Sequence, residues 1–437
     1  MSWLHRILGY ALWGIGTVIA LVVLTWPFFM PDRQTRGIWA TEGYGLVLDI
    51  GRFGIDIYEV NSATCLTHLS GPAHSLALRS LADADFAASY GALIINVDGT
   101  ANPITATPLT ALPAHCATTA RPGTPRENFD ALWTVMDENY AFFDLHGVDW
   151  AARYDQFAPL FTPDLDDAAM FARLSEVLSP LDDIHTYLVA PDLPAGYSPA
   201  SRTDWASERT DFLSAPRALS LTSVPNTGLE FAVLDGNIGY VLMRHMGTNP
   251  GLFGSEADLA SDGFTKVAGA LAGTDAIILD LRLNPGGSDT VALTYASFFT
   301  HTPMLCCTKI TRTASGFGAP FAMTVTPAGP NALTQPVAIL TSGYTASAAE
   351  VFVLAMNGLA QVTVVGEPTA GGQSDIMEVT LPNGFVLGLS HQRYFAAGGA
   401  MYELIGIPPD VASPFNASAM RIGDDPQLNA VLNDLRD

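Results

Sequence analysis

The chain contains 437 residues, which is enough for two or three domains. Hydrophobic residues make up 49% of it and charged residues only 14%, so it can bury sizeable cores. Its formal net charge of −23 argues against binding to nucleic acids or to anionic lipid surfaces, because both require a basic patch.

A long apolar run without charges, Ile7–Met30, lies near the amino terminus. A helix of about 20 residues spans roughly 30 Å, the thickness of a bilayer core. We therefore predict a transmembrane anchor within residues 1–36. The alternative is a signal peptide, whose cleavage would make the protein secreted. The acidic remainder, with two cysteines that could pair, favours a catalytic region outside the cytoplasm, either periplasmic or extracellular.

Residues 37–120 are rich in Gly, Thr and strand-forming residues, and they predict a small β-rich domain. Strands are predicted at 44–50, 55–60 and 92–97. Cys65 and Cys116 could form a disulfide in an oxidising compartment. The adjacent Cys306 and Cys307 are predicted to be buried thiols, and none of the four cysteines has metal-ligand spacing.

Residues 121–190 are predicted to be helical. Apolar residues recur at helical spacing within 129–143 and again within 171–181, which is typical of helices that pack on a core. The turn at Asp182–Tyr187 then leads into a short strand. Residues 191–235 are polar and rich in Pro and Ser, and they predict a loop or lid.

Residues 236–437 show an alternating α/β pattern. Strands are predicted at 237–243, 276–283, 337–340 and 362–365, helices at 263–271, 289–299, 346–359 and 425–435, and a hairpin at 377–394. The hairpin turns at Asn383-Gly384, a dipeptide that favours tight turns.

Two strand-to-helix turns in this region could carry chemistry. Gly286 and Gly287 follow one buried strand, and Ser347 stands where another strand meets a helix. A helix N-terminus offers unpaired N–H groups, so a hydroxyl there could attack a carbonyl whose oxygen those groups hold. Turns on neighbouring parallel strands would meet at the carboxyl edge of the sheet. The structural alternatives are a capping box formed by Ser347 and Glu350, and a plain tight turn at the glycines.

A serine nucleophile needs a general base, and the base needs an orienting partner. The chain has nine histidines, and His185, His245 and His391 are the candidates. Their spacing does not choose among them, because catalytic triads are assembled in space.

Several motifs occur in order from about residue 125 to the carboxyl terminus. They are Asn128-Phe-Asp-Ala-Leu-Trp133, Leu181-Asp-Asp-Ile-His-Thr186, Ile238-Gly-Tyr-Val241, Leu279-Asp-Leu-Arg-Leu-Asn-Pro-Gly-Gly287, Thr345-Ala-Ser-Ala-Ala-Glu350, Gly366-Glu-Pro-Thr-Ala-Gly-Gly372 and Tyr402-Glu-Leu-Ile-Gly-Ile-Pro-Pro-Asp410. This series resembles the C-terminal processing, or tail-specific, serine proteases of peptidase family S41, above all their tricorn-like and retinoid-binding-protein-like branch. The resemblance implies an α/β catalytic core of the ClpP or crotonase type, and it does not extend to residues 1–120.

By motif position, the resemblance implies Ser347 as the nucleophile, His185 as the general base and Glu403 as the acidic group that orients the base. Some members of the family use a Ser-Lys dyad instead. Gly372 stands where that lysine would be, and the whole chain has lysine at only two positions. The resemblance therefore implies histidine as the base.

The resemblance also implies an oxyanion hole formed by the N–H of Ala348 and of Gly286 or Gly287. Many relatives carry a PDZ domain before the core, but residues 186–236 are too few for one, so no PDZ domain is expected. The alternatives without chemistry are Glu403 as a surface carboxylate and Asp182-Asp183 as a solvated turn.

We therefore predict a membrane-anchored serine peptidase that cleaves protein or peptide substrates without a metal or cofactor. Two alternatives stay open: a non-catalytic module that binds hydrophobic ligands or peptides on the same fold, and an esterase or amidase that acts on small substrates. The oligomeric state is not predicted.

Overall fold

The computed structural model describes residues 31–72, 84–117, 121–200, 219–251, 254–416, 419–420 and 422–435. Within these ranges no helix combines the length and the apolar composition that crossing a bilayer requires. The predicted anchor, Ile7–Met30, lies outside the described residues. The chain divides into two compact units.

The first unit comprises the described residues up to Val60, together with Cys65–Val97 and Pro103–Thr118. Its described strands form one antiparallel sheet: β1 (Gly37–Thr41), β2 (Leu46–Ile50), β3 (Gly54–Val60), β4 (Cys65–Pro72), β5 (Ala84–Ser89), β6 (Ala92–Val97) and β7 (Ile104–Leu109). Their order across the sheet is β4-β3-β2-β1-β7-β6-β5. Strands β2, β3 and β6 match the predicted ones.

The core of this unit follows the two-residue period of its strands. In β3, Ile55 and Ile57 are buried, whereas Asp56 between them and Tyr58 after them are more exposed. A disulfide joins Cys65 at the start of β4 to Cys116 in the 3₁₀ turn Ala114–Ala117. The pairing that the sequence left open is therefore present in the structure.

The second unit holds the helices and the remaining strands. The described helices of eight or more residues, with one shorter helix, are α1 (Pro125–Asn139), α2 (Phe143–His146), α3 (Trp150–Phe157), α4 (Asp167–Leu178), α5 (Glu256–Leu271), α6 (Asp289–Ala296), α7 (Ala348–Met356) and α8 (Pro426–Asp434). The described strands are β8 (Tyr187–Ala190), β9 (Ala195–Tyr197), β10 (Thr222–Ser223), β11 (Thr227–Leu234), β12 (Ile238–Thr248), β13 (Ala276–Asp280), β14 (Met304–Thr313), β15 (Gly316–Phe317), β16 (Phe321–Val325), β17 (Val337–Thr341), β18 (Val362–Gly366), β19 (Ile376–Thr380), β20 (Val386–Ser390), β21 (Gln392–Ala396) and β22 (Val411–Ala412). Short 3₁₀ turns follow α3 at Ala158–Leu160 and α6 at Ser297–Phe299.

Helix α1 begins with a capping box, in which Thr124 and Glu127 each accept a hydrogen bond from the other's backbone N–H. Its buried stripe includes Phe129 and Leu132, which share a core with Leu174 of α4. The same core contains residues of the small sheet β19-β20-β8-β9. The helical segment therefore packs on a sheet in which one strand, β8, begins at the end of the Asp182–Tyr187 turn.

The central sheet has the described order β10-β11-β12-β13-β17-β18-β22. From β12 onward neighbouring strands are parallel. In β13, Ile277 and Leu279 lie in a core with α5, α6 and α7, whereas Ile278 lies in a second core with α8. Burial on both faces explains the continuous apolar runs of these strands.

The parallel pairing of β13 with β17 determines where the two candidate turns lie. Asp280 is aligned with Leu340, so both strands end at the same edge of the sheet. The turn that contains Gly286 and Gly287 and the turn that contains Ser347 therefore leave the sheet side by side. This confirms the predicted juxtaposition.

One strand pairing differs from the prediction. Strands β19 and β20 form the expected hairpin at Asn383-Gly384. The end of the predicted hairpin, β21, instead pairs with β14, where Tyr394 stands opposite Lys309. Local pattern cannot reveal such a partner, because strand preference depends on packing against distant neighbours.

Candidate active site

Ser347 occupies a strained turn between β17 and α7. Its φ of +56° and ψ of −131° lie in a region that residues with a side chain rarely adopt. Its N–H donates to the carbonyl of Gly372 at 2.9 Å and to Glu350 Oε2 at 3.1 Å. The side chain is half-buried. Such a strand-to-helix turn typically presents a nucleophile at the top of a sheet.

The Glu350 carboxylate ties this turn to a neighbouring loop. It accepts hydrogen bonds from the Thr369 hydroxyl at 2.6 Å, from the N–H of Gly371 and Gly372 at 2.9 Å each, and from the N–H of Ser347. Burial raises the pKa of Glu350 to about 7, although these hydrogen bonds oppose the shift. Glu350 thus closes the helix start, as the capping-box interpretation expects, and also fixes residues 369–372 against Ser347.

The Gly286–Gly287 turn lies in direct contact with the Ser347 turn. A Cβ added to Gly286 would lie 2.5 Å from Ser347 Cβ and 2.9 Å from Ala348 N, so only glycine fits. The N–H of Gly286 donates to Asn284 Oδ1 at 2.9 Å. Ala348 is the first residue of α7, so its N–H has no partner one turn earlier in the helix.

The turn that carries His185 is held by a buried aspartate. Asp183 Oδ1 accepts from the N–H of His185 at 2.8 Å and from the Ser390 hydroxyl at 3.1 Å. Its Oδ2 accepts from the hydroxyls of Thr186 and Tyr140, both at 3.0 Å. Asp183 is 1% exposed. The solvated-turn interpretation is therefore wrong for Asp183, whose carboxylate organises the turn from within.

His185 itself is buried beside the segment that contacts Ser347. A Cβ at Gly372 would lie 3.8 Å from His185 Cε1 and only 2.4 Å from Ile184 Cδ1. Any side chain at position 372, including a lysine, would therefore displace Ile184. Burial lowers the pKa of His185, while the charges of Asp183 and Asp375 oppose the shift. The imidazole is thus neutral at pH 7, as a general base must be.

Glu403 is also buried next to residues 372–374. Its Oε2 accepts a hydrogen bond from the N–H of Gln373 at 2.9 Å. Burial, followed by the charge of Asp183, raises the pKa of Glu403 well above its ordinary value. Its Oε1 and the Nδ1 of His185 are both buried without a hydrogen-bond partner among the described residues. The interpretation of Glu403 as a surface carboxylate is therefore wrong.

Two family models match the second unit. The model described as "Peptidase family S41" matches residues 237–413, and the model described as "Tricorn protease C1 domain" matches residues 123–179. Residues 237–413 therefore belong to peptidase family S41. This S41 member is a serine peptidase with the α/β fold of the family, as predicted. The β-rich first unit lies outside both matched ranges.

Solved structures show the same fold. A protein from Parabacteroides merdae ATCC 43184 that is described as a peptidase is 26% identical, with a TM-score of 0.60 over 72% of this chain and 98% of that chain. Mature CPAF is 12% identical, with a TM-score of 0.54 over 72% of this chain and 96% of that chain. At that identity the likeness to CPAF concerns the fold alone.

The structure of this S41 peptidase brings the predicted site residues together to different degrees. Gly286 and Ala348 contact Ser347 directly. His185 and Glu403 are joined to Ser347 only through the 372–374 segment. In the described part of the chain no hydrogen bond links Ser347 to His185, or His185 to Glu403. Catalytic hydrogen bonds are often long in ligand-free structures and shorten when substrate binds.

The other candidate histidines have different surroundings. His391 is buried, and its Nδ1 lies 3.0 Å from the carbonyl oxygen of Asp375. Burial lowers the pKa of His391 to about 4. His245 is exposed on β12. His185 is the one of the three that lies next to the carbonyl partner of Ser347.

A polar cavity of about 530 Å³ adjoins this site. Its lining includes Ile184, which precedes His185, and Leu404, which follows Glu403. It also includes Gly371. The cavity therefore borders chain neighbours of the predicted base and acid, where an extended peptide could enter.

Sequence reasoning missed the role of Asp183 and of the backbone at Gln373. Asp183 carries a usable signal, since an Asp two residues before His185 is the spacing of an Asx turn. Gln373 carries none, because its contribution to Glu403 comes from its backbone N–H. The identity of residue 373 does not indicate this hydrogen bond, because every residue except proline has a backbone N–H.

Proposed function

We propose that the chain is an endopeptidase in which Ser347 forms a covalent acyl-enzyme. The Ser347 hydroxyl attacks the carbonyl carbon of the scissile bond while His185 takes its proton. The C–N bond then breaks, and His185 gives that proton to the leaving amine. Water, activated by His185 in the same way, hydrolyses the acyl-enzyme and restores the hydroxyl.

The contact between the two turns is the observation that carries this proposal. The strained backbone of Ser347 lies against Gly286, where a Cβ would be 2.5 Å from Ser347 Cβ. A carbonyl attacked at this point would have its oxygen between the N–H groups of Gly287 and Ala348. We assign the oxyanion hole to these two groups, because the N–H of Gly286 is already bound to Asn284. Loss of one such donor typically costs about 10²–10³-fold in kcat.

Glu403 is assigned the role of orienting His185. The Nδ1 of His185 and the Oε1 of Glu403 are both buried and lack partners among the described residues. Leaving such groups unpaired costs about 1–3 kcal/mol each. A hydrogen bond that joins them in the substrate complex would remove this cost, fix the ring and stabilise the imidazolium.

The test is peptide hydrolysis by the full chain, solubilised in a mild detergent. Internally quenched peptides of mixed sequence and small ester substrates are compared for the wild type, Ser347→Ala and the control Ser315→Ala, which changes an exposed loop serine. We expect peptide turnover that Ser347→Ala abolishes and Ser315→Ala leaves intact. Turnover of esters without peptides would favour the esterase, and equal inertness of all three proteins would favour a binding module.

We also propose that the protein is anchored by Ile7–Met30 with its catalytic unit outside the cytoplasm. The uncharged length of this run supports the anchor. The Cys65–Cys116 disulfide supports an oxidising compartment. Carbonate-resistant membrane association and cleavage by protease added to intact cells or spheroplasts are expected. Extraction by carbonate or full protection from that protease would contradict this assignment.

A further inference from the structure

The second unit contains a lysine that is almost completely buried. Lys309 lies on β14, is 1% exposed, and is one of two lysines in the chain. Its ammonium donates to Asp375 Oδ2 at 2.9 Å, to the Tyr394 hydroxyl at 3.0 Å and to Asp289 Oδ2 at 3.4 Å. The Tyr394 hydroxyl in turn donates to Asp289 Oδ2 at 2.8 Å. The three donors of the ammonium are thus matched by three partners.

Stability does not explain this arrangement. Burying the ammonium and the Asp289 carboxylate costs several kcal/mol per ion in lost hydration, and Asp375, whose side chain is 28% exposed, loses part of its hydration as well. The attraction among the three charges barely offsets this cost. Apolar residues of similar size often fill such a place at no loss of stability. A buried ion cluster does, however, hold its members in one geometry, since each charge must stay paired. What matters is therefore which parts of the chain the cluster joins.

The two carboxylates belong to two different segments of the candidate site. Asp289 is the first residue of α6, and only Ser288 separates it from the Gly286–Gly287 turn. Asp375 directly follows the 372–374 segment, in which Gly372 accepts from the N–H of Ser347 and Gln373 donates to Glu403. One ammonium therefore lies between the helix behind the oxyanion turn and the segment that joins nucleophile and acid.

We propose that Lys309 is a positioning residue, which holds the Gly286–Gly287 turn in register with the 372–374 segment through Asp289 and Asp375. This inference rests on the proposed function, because the spacing between the Gly286–Gly287 turn and the 372–374 segment matters only if both take part in catalysis. Lys309 touches neither Ser347 nor substrate in this role. Its role is to fix the positions of segments that carry catalytic groups, which catalytic sites require from the residues packed around them.

Removing the ammonium has a defined consequence. Lys309→Met keeps the apolar stem but leaves the buried Asp289 and the partly exposed Asp375 as neighbouring like charges, so they are expected to separate or to share a proton. Either response frees α6 and the turn before it. Misplacement of reacting groups by about 1 Å can cost about 10²-fold in rate.

The experiment measures kcat and KM for peptide hydrolysis by the full chain, with kcat expressed per active site labelled by a fluorophosphonate. Lys309→Met is expected to lower kcat about 100-fold with KM within about threefold of the wild type. Lys309→Arg, which keeps the charge, is expected to recover kcat to within about tenfold. Lys266→Met, at the other and exposed lysine, is the matched control and is expected to match the wild type.

Asp289→Asn provides a second test that does not depend on the folding of Lys309→Met. It keeps the shape of the side chain and its bond from Tyr394 but removes the charge that faces Lys309. We expect about a tenfold loss of kcat with KM unchanged. Folding is checked by circular dichroism for every variant.

Three results would overturn the inference. A folded Lys309→Met with kcat within threefold of the wild type would do so, and so would wild-type kcat in Asp289→Asn if Lys309→Met fails to fold. Equal losses of kcat in Lys309→Met and Lys309→Arg would show that the effect comes from the changed side-chain shape and not from loss of the charge. If the wild type turns over no peptide and Ser347→Ala behaves identically, the proposed function itself fails and takes this inference with it.

Discussion

Gly286→Ala is a substitution in which a single methyl group directly disturbs the Ser347 turn. The new Cβ would lie 2.5 Å from Ser347 Cβ, 2.8 Å from the carbonyl oxygen of Ala346 and 2.9 Å from Ala348 N. Non-bonded carbon atoms prefer separations of about 3.5–4.0 Å, so the two turns must move apart by about 1 Å. The φ of +100° at Gly286 adds backbone strain, because residues with a Cβ rarely adopt it.

The expected magnitudes follow from these distances. Overpacking and an unfavourable φ each cost of order 1–3 kcal/mol, so the free energy of unfolding should fall by about 2–6 kcal/mol. A movement of about 1 Å at the nucleophile should lower kcat by about 10²-fold or more, with a smaller change in KM. Urea unfolding gives the first quantity, and peptide hydrolysis per labelled active site gives the second.

Gly269→Ala is the matched control. Gly269 lies on the exposed face of α5, and a Cβ added there would have nothing within 4 Å. Since alanine favours helix over glycine by about 1 kcal/mol, this variant should be slightly more stable and fully active. The reasoning is refuted if folded Gly286→Ala keeps kcat within threefold of the wild type.

Three further predictions concern the base, the buried carboxylate and the disulfide. His185→Ala should lower kcat/KM by about 10²–10⁴-fold, and a loss of only a few-fold would move the base to another histidine. Because the base must be neutral, kcat/KM of the wild type rises as pH rises through the pKa of His185. Burial lowers that pKa, so the acid limb should have its midpoint below 6.5, whereas a midpoint above 7 would contradict the assignment. In the wild type, backbone N–H groups donate to both oxygens of Glu350, and Glu350→Gln replaces one of these oxygens with an NH₂ group that cannot accept. This variant should reduce the free energy of unfolding by about 2–5 kcal/mol in urea titrations. An unchanged urea midpoint would be inconsistent with the four hydrogen bonds of Glu350. Reduction of Cys65–Cys116, which are 51 residues apart, should destabilise the first unit by about 2–4 kcal/mol in thermal unfolding, and equal unfolding temperatures with and without reductant would count against a structural disulfide.

Much of the α/β core could be predicted because its strands are buried on both faces. The apolar run of β13 predicts a strand without knowledge of its neighbours, since every residue in it is buried. The same holds for β17. Glycines and a serine directly after these strands then indicate a site at the carboxyl edge of the sheet, because parallel strands end together.

The strands β14, β15 and β16 could not be predicted in this way. They are partly exposed, and their residues combine Cys, Thr, Lys and Arg with apolar residues. Their partners are chosen by packing against α6 and α7 and by pairing with β21, which lies far along the chain. The Lys309 cluster depends on this pairing, so nothing in the local sequence identifies Lys309 as buried.

The site divides along similar lines. Ser347 and Gly286 could be located from local pattern, because a turn after a buried strand is a local event. The burial of Asp183 and Glu403 could not, since both are charged residues in non-regular segments, where carboxylates are usually exposed. What buries them is the convergence of the His185 turn, the 372–374 segment and β20, which are distant in sequence.

Labelling of the full chain with a fluorophosphonate, followed by mass spectrometry of its peptides, tests directly whether Ser347 is the nucleophile. We expect one phosphonyl adduct per chain, on Ser347, with peptidase activity falling in proportion to labelling. We expect no adduct in Ser347→Ala. An adduct on another residue, or activity that survives complete labelling of Ser347, would contradict the claim that this serine is the nucleophile.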